Sequence, residues 1–122
     1  MGRAFEYLCF EHAEKISELL GFPGIEFSFG PYFNAPRKDS PGVQIDLVFD
    51  RSDNVITLCE MKYSLSPVGT GLIEEVEKKA DILQKKFKRK SIQKVLISLS
   101  DATGNLTSSG YFYRIIKPEE FF

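Results

Sequence analysis

Two consecutive apolar segments, separated by a short turn, constrain the fold of this chain more than any other feature. The segments VQIDLVFD (43–50) and VITLCEMKY (55–63) flank the turn-forming residues RSDN. If they pair as an antiparallel hairpin about Asp53, both faces of the hairpin are mostly apolar. A strand that is apolar on both faces belongs in the middle of a sheet, with helices covering each side. These segments therefore predict the central strands of an α/β sheet.

The other predicted elements supply the remaining strands and the covering helices. Residues 2–20 have the spacing of an amphipathic helix that ends at Gly21, and the alternation of residues 25–29 predicts a strand. Residues 30–42 contain three prolines and two glycines and predict a polar loop. A second helix over residues 70–90 follows from its apolar positions, which are Ile73, Val76, Ala80, Leu83 and Phe87. Residues 93–100 and 111–118 predict the last strands, joined by a loop over 101–110.

Length and composition indicate one domain, covering residues 1–122, with a mass of 13.9 kDa. The net charge of −1 favours no class of partner, so nucleic-acid binding would have to come from local clusters of cations. Cys9 and Cys59 lie among apolar neighbours and predict buried thiols in a reducing compartment, which places the protein in the cytoplasm. No apolar run approaches the ~20 residues of a membrane span, and charged residues interrupt the N-terminal apolar positions, so no membrane partner or signal peptide is expected. His12 falls on the apolar stripe of the first helix and is interpreted as a packed residue rather than a ligand.

Three charged residues stand among the apolar residues of the hairpin. In the predicted register Asp46 lies opposite Glu60, and both share a face with Lys62. The opposite face would carry Ile45, Leu47, Phe49, Thr57, Cys59 and Met61. Two facing carboxylates repel each other unless a cation lies between them, and carboxylate oxygens are the ligands that Mg²⁺ and Mn²⁺ prefer. Lys62 could steer a water nucleophile or neutralise a phosphate, which suits metal-assisted phosphodiester hydrolysis.

A structural interpretation of the same residues stays open at this point. Charges at strand ends often meet solvent, and Glu60 with Lys62 could form a surface ion pair worth under about 1 kcal/mol.

The pattern of Asp46 followed by Glu60-Met61-Lys62 resembles the PD-(D/E)XK nuclease superfamily. The resemblance implies a restriction-endonuclease-like core, with a central mixed sheet of four to five strands flanked by helices. It also implies that Asp46 and Glu60 hold Mg²⁺ or Mn²⁺ and that Lys62 acts on the water. Many members add a glutamate on the first helix, and Glu6 matches that position. The superfamily's proline before the aspartate is absent, because Ile45 occupies its place.

A narrower resemblance is to the C-terminal nuclease-like module of a group of bacterial AAA-type ATPases. It rests on AFEYLCFEH, on VQIDLVFDRSDNVITLCEMKYS and on the ending EEFF. It implies an AAA-type ATPase domain as a partner, with this domain excised from a longer chain. The 122 residues contain no Gly-rich ATP-binding loop with Lys and Ser or Thr.

Clustered cations mark where a nucleic acid could lie. Most cations of the second helix would project outward because its apolar residues face the core, and two more precede the Asp46 strand. The nucleic-acid candidates are Arg37, Lys38, Lys78, Lys85, Lys86, Lys88 and Arg89. The alternative is a solvated helix face with cations near its C-terminus. Superfamily members often place a polar residue of this helix near the metal, and Gln84 is the candidate here.

Three functional hypotheses follow from these residues. The first is a Mg²⁺-dependent endonuclease acting on DNA, the second a catalytically silent nuclease-fold module that binds DNA or an ATPase, and the third an interaction domain. A nuclease core of this size commonly needs a second copy to hold a duplex, which makes a homodimer a candidate assembly.

Overall fold

The computed structural model describes residues 9–39, 42–63 and 65–121, and within them five strands form one sheet. The strand order follows the sequence, with β1, β2 and β3 antiparallel and β3, β4 and β5 parallel. The strands are β1 (Phe27–Asn34), β2 (Val43–Arg51), β3 (Val55–Lys62), β4 (Ser91–Ser98) and β5 (Arg114–Ile116). A mixed sheet flanked by helices confirms the predicted fold class.

Helices cover both faces of the sheet, as the apolar character of β2 and β3 predicted. The helical elements are α1 (Ala13–Leu19), α2 (Leu72–Lys86), α3 (Gly104–Ser109) and a 3₁₀ turn (Pro118–Glu120). On one face, Ile16 of α1 packs in a cluster with Phe49 of β2 and Cys59 of β3. On the other face, Val76, Ala80 and Leu83 of α2 pack against Ile56 and Leu58. Within the described residues, none of these helices is long and apolar enough to cross a membrane.

The β2–β3 hairpin is the centre of the sheet and has the predicted register. Leu47 pairs with Cys59, Val48 with Leu58, and Asp50 with Ile56. The strands are joined by residues 52–54, and Asn54 has φ of 66°. Asparagine tolerates this left-handed conformation better than most residues with a Cβ, which suits it to the last position of the turn.

A β-bulge interrupts the pairing of β1 with β2 next to Asp46. Gly30 pairs with Val48 and Tyr32 pairs with Ile45, so the single residue Pro31 faces both Asp46 and Leu47. Proline has no N–H to donate to the ladder, and strands accommodate it at edges and bulges. The bulge breaks the alternation of side chains along β2. The assignment of Ile45 to the face of Leu47 was therefore wrong, because Ile45 packs under α2 with Val48.

Element boundaries also differ from the prediction. Residues 30–34 belong to β1 rather than to a loop, because backbone pairing with β2 continues beyond the bulge. The predicted loop 101–110 contains α3, whose first turn is capped by the Thr103 hydroxyl accepting from the Leu106 N–H at 3.2 Å. The last strand covers only Arg114–Ile116 of the predicted residues 111–118.

The cysteine and histidine interpretations agree with the structure. Cys9 and Cys59 are free and buried, and burial raises the pKa of the Cys59 thiol, which keeps it protonated and unreactive. The His12 ring packs on Phe121, with ring centroids 5.9 Å apart.

Candidate functional site

The central feature of the site is a buried carboxylate paired with a lysine from the helix above it. Glu60 lies on β3 beneath α2, and its side chain is only 3% exposed. Lys79 Nζ lies 2.8 Å from Glu60 Oε1 and 2.9 Å from Oε2, so one ammonium bonds both carboxylate oxygens. An ionised carboxylate at this depth needs a cationic partner, and α2 supplies it.

Lys79 is a site residue that the sequence analysis missed. The sequence analysis does not include it among the candidate residues, and its side chain is only 24% exposed. The spacing contains the signal, because Lys79 follows Val76 by three residues and precedes Leu83 by four. A lysine in the apolar stripe of a helix faces the core and needs an anion there.

Asp46 lies on the strand next to Glu60, at the bulge. The paired register of β2 and β3 ends at Leu47 and Cys59, so the placement of Asp46 opposite Glu60 stays a prediction. Asp46 is half-buried, and no hydrogen bond or ion pair is formed between its carboxylate and another residue of the described part of the chain. That the two carboxylates share one cation stays a prediction.

Lys62 ends β3 two residues beyond Glu60, and alternation along the strand places both on the same face. Its side chain is 36% exposed, and Lys62 Nζ lies 3.9 Å from Glu75 Oε2 on α2. The proposed Glu60–Lys62 surface pair does not form, because Glu60 is buried against Lys79. Lys62 thus remains accessible at the edge of the site.

The predicted metal ligands, Asp46 and Glu60, are both carboxylates. Carboxylates on neighbouring strands offer the oxygen ligands that Mg²⁺ and Mn²⁺ take, and the Glu60 carboxylate already binds a cationic group here. Residues 9–39, 42–63 and 65–121 contain no cluster of three or more acidic, histidine or cysteine side chains able to hold a metal. The prediction for Glu6 lies outside the described residues.

A basic cleft lies between α2 and the segment that leads into β2. Its volume is about 520 Å³. Four of the predicted nucleic-acid residues line it, namely Arg37, Lys78, Lys85 and Lys86, against two carboxylates, Asp39 and Asp81. Lys86 Nζ lies 5.3 Å from the centroid of the Tyr32 ring, a cation–π contact that fixes one wall of the cleft. Four cations against two anions leave the lining with a formal excess of two positive charges.

The remaining candidates do not line this cleft. These are Lys38, which precedes β2, and Lys88 and Arg89, which follow α2; all three side chains are exposed. Gln84 donates to the Phe87 carbonyl at 3.1 Å and to the Lys90 carbonyl at 2.8 Å. The Gln84 amide thus ties down the C-terminal end of α2, and its expected place near a metal stays a prediction.

A second, larger cavity of about 800 Å³ lies beside α1, at the turn end of the hairpin. Its charged lining is mostly acidic, with Glu14, Glu18, Glu26 and Asp50 against Arg51 and Lys90. Four carboxylates against two cations would repel a phosphate backbone. The smaller basic cleft is therefore the better candidate for an anionic substrate.

Comparisons with known proteins relate the chain to nucleases through its fold. No protein-family model and no curated protein matches it. A repair endonuclease from Pyrococcus abyssi shares the fold with a TM-score of 0.63 at 13% identity, over 96% of this chain and 46% of that one. EndoMS in complex with dsDNA gives a TM-score of 0.54 at 17% identity, over 91% of this chain and 41% of that one. The chain thus has an endonuclease-like fold and spans less than half the length of these two proteins.

Proposed function

We propose that this domain is a Mg²⁺- or Mn²⁺-dependent nuclease that hydrolyses phosphodiester bonds in DNA. The observation that carries the proposal is the hairpin itself. Glu60 and Lys62 share one face of β3, and Asp46 lies at a bulge on the adjacent strand. Bulges are over-represented beside active sites, where they re-aim a side chain.

The chain's own groups have separate roles in this proposal. Asp46 and Glu60 would hold the cation, which supplies Lewis acidity and an activated water when bound. Lys62, accessible at the strand end, would place its ammonium beside the scissile phosphate and stabilise the charge that develops in the transition state. The role of Glu6 in assisting through a water or a second ion is part of the same proposal.

The basic cleft would bind the phosphate backbone of the substrate. Arg37 precedes the strand of Asp46, and Lys78 is adjacent to Lys79, the partner of Glu60. A phosphate backbone held in the cleft would lie beside α2 and beside the segment that leads into β2, the strand of Asp46. Each phosphate contact would release a counterion and make DNA affinity fall with salt. The two endonuclease structures that share the fold support DNA as the substrate class.

The test is cleavage of supercoiled, linear and branched DNA in Mg²⁺ or Mn²⁺. Lys62→Ala should lower turnover by about two orders of magnitude, by analogy with loss of one positioned electrostatic donor. It should leave metal affinity nearly unchanged, since an ammonium has no lone pair to offer a cation. Lys86→Ala, which removes a cleft cation, is the control and should weaken DNA affinity more than turnover.

Metal binding is tested separately by thermal unfolding. Mg²⁺ should raise the melting temperature because it binds the native state, and Asp46→Asn should abolish that rise. A metal-induced rise of the same size in Asp46→Asn would contradict the assignment of Asp46.

One observation favours the second candidate, a nuclease-fold module that binds DNA or a partner ATPase domain without cutting. Both Glu60 oxygens are occupied by Lys79, which neutralises the carboxylate without a metal. Absence of metal-dependent cleavage on every DNA form, combined with salt-sensitive DNA binding lost in Lys86→Ala, would establish the binding module instead.

A further inference from the structure

We infer that Lys79 is an internal counter-cation that holds the Glu60 carboxylate and competes with a divalent ion for it. The inference rests on the proposed metal-binding role of Glu60. It adds a regulatory residue on α2 to the site on β2 and β3. Metal ion and Lys79 ammonium would then compete for the same two oxygens.

The two cations disfavour each other at this carboxylate. Lys79 Nζ lies within 2.9 Å of both oxygens of Glu60, so it already uses one lone pair of each. Because the Glu60 side chain is 3% exposed, water screens the charges near it only weakly. Two cations on one buried carboxylate would also repel each other at short range.

The Lys79 ammonium can move away from Glu60 into solvent. Its side chain is 24% exposed, so the ammonium lies at the rim between the core and solvent. A lysine has a flexible four-carbon stem and a strongly hydrated head group, which can swing into water without moving the helix. The neighbouring Val76 and Ala80 are buried and keep α2 seated on the sheet during that motion.

Competition between Lys79 and a metal ion for Glu60 has two consequences. Without metal, Lys79 compensates a carboxylate that would otherwise be buried and unpaired, so the domain stays folded. With metal, part of the binding free energy is used to displace Lys79. The affinity of the wild-type site is therefore lower than its two carboxylates alone would give.

The test is calorimetric titration of Mn²⁺ and of Mg²⁺ into the wild type, Lys79→Gln, Lys79→Arg and Lys78→Gln. Lys79→Gln should bind metal about tenfold more tightly, because a charged hydrogen bond no longer has to be broken. Lys79→Arg keeps a cation able to pair with Glu60 and should stay near wild type. Lys78→Gln removes the same charge from the next position, where the ammonium only reaches exposed Glu74 at 4.0 Å, and should change affinity less than about twofold.

The outcomes separate this inference from the proposed function. Equal affinities in wild type and Lys79→Gln overturn the inference and leave the nuclease proposal standing. An equal gain in Lys78→Gln also overturns it, because general charge then explains the change. No metal binding in any of the proteins removes the metal site and the nuclease proposal together.

If Lys79→Gln does not fold, the wild-type protein supplies the measurement. Nitrogen-15 NMR of lysine ammonium groups should show a signal for Lys79, because its pairing with Glu60 slows proton exchange with water. Mg²⁺ should remove that signal, because the ammonium then enters water and its protons exchange rapidly. A Lys79 signal unchanged at saturating Mg²⁺ overturns the inference.

Discussion

The two ends of the β2–β3 hairpin both bury charge, but they satisfy it in different ways. At the turn end, the Arg51 guanidinium donates to both Asp53 oxygens at 3.0 and 2.6 Å, and also to Thr57 and Gln93. Arg51 Cζ lies 4.0 Å from the centroid of the Phe22 ring. At the open end, Glu60 pairs with the single ammonium of Lys79, and Asp46 forms no hydrogen bond or ion pair with another described residue.

The difference fits a structural role for the turn end and the proposed metal-binding role for the open end. A charge with many local partners is fixed in place, and loss of one partner leaves the others. A buried carboxylate with one lysine partner can exchange that partner for another cation. Strongly satisfied networks make rigid scaffolds, whereas exchangeable pairs suit sites that bind ions.

The largest expected effect comes from breaking the open-end pair. Lys79→Met should lower the free energy of unfolding by about 3 kcal/mol in a metal-free buffer, because it leaves the Glu60 carboxylate buried without its cation. Urea unfolding in the presence of a chelator measures it. Lys78→Met is the matched control and should cost less than about 0.5 kcal/mol. Adding Glu60→Gln to Lys79→Met should recover most of the loss; an unaltered wild-type stability in Lys79→Met would show that the pair is not what stabilises Glu60.

A smaller effect is expected at the turn end. Asp53→Asn should cost about 1 kcal/mol at neutral pH, since Arg51 keeps Thr57 and Gln93 as partners and the Asp53 side chain is partly exposed. Urea unfolding of wild type and variant at pH 7 measures the difference. A loss as large as that of Lys79→Met would erase the contrast between the two ends.

The same pair predicts a dependence on pH. The Arg51 hydrogen bond lowers the pKa of Asp53 below its usual value of 3.8. Because the folded pKa is the lower one, the stabilisation is fully present above pH ~4 and is lost as the pH falls through the folded pKa. The stability difference between wild type and Asp53→Asn should therefore be constant from pH 7 to 5 and shrink below pH ~4. A difference that persists at pH 2 would mean that the carboxylate charge is not its source.

The smallest effect is expected for Gln84→Ala, which tests whether the open-end site extends along α2. Two exposed hydrogen bonds at the end of the helix are lost, so stability should fall by about 0.5 kcal/mol. Metal affinity, measured by calorimetry, should not change. A weaker metal affinity in this variant would show that Gln84 contributes to the metal site.

The hairpin, both covering helices and the charged pattern of Asp46, Glu60 and Lys62 could be predicted because they depend on local periodicity. A short apolar run bounded by turn residues predicts a strand that is buried on both faces, and apolar spacings of three and four predict α2. The short helix α3 could not be predicted, because its local sequence signal is weak. The helix α3 is six residues long with the sequence GNLTSS, which has poor helix propensity, and it depends on its Thr103 cap and on burial of Leu106.

The residue types on the central strands follow from the amino-acid sequence, since apolar runs and charge pattern need no knowledge of long-range contacts. The partners of those residues depend on how the chain packs. The bulge opposite Pro31 arises from pairing between strands that the chain separates by a loop, and it moves Ile45 to the α2 face. The Glu60–Lys79 pair joins residues 19 positions apart, through the docking of α2 on the sheet. Burial makes that pair strong, and burial is a property of the packed molecule rather than of either residue.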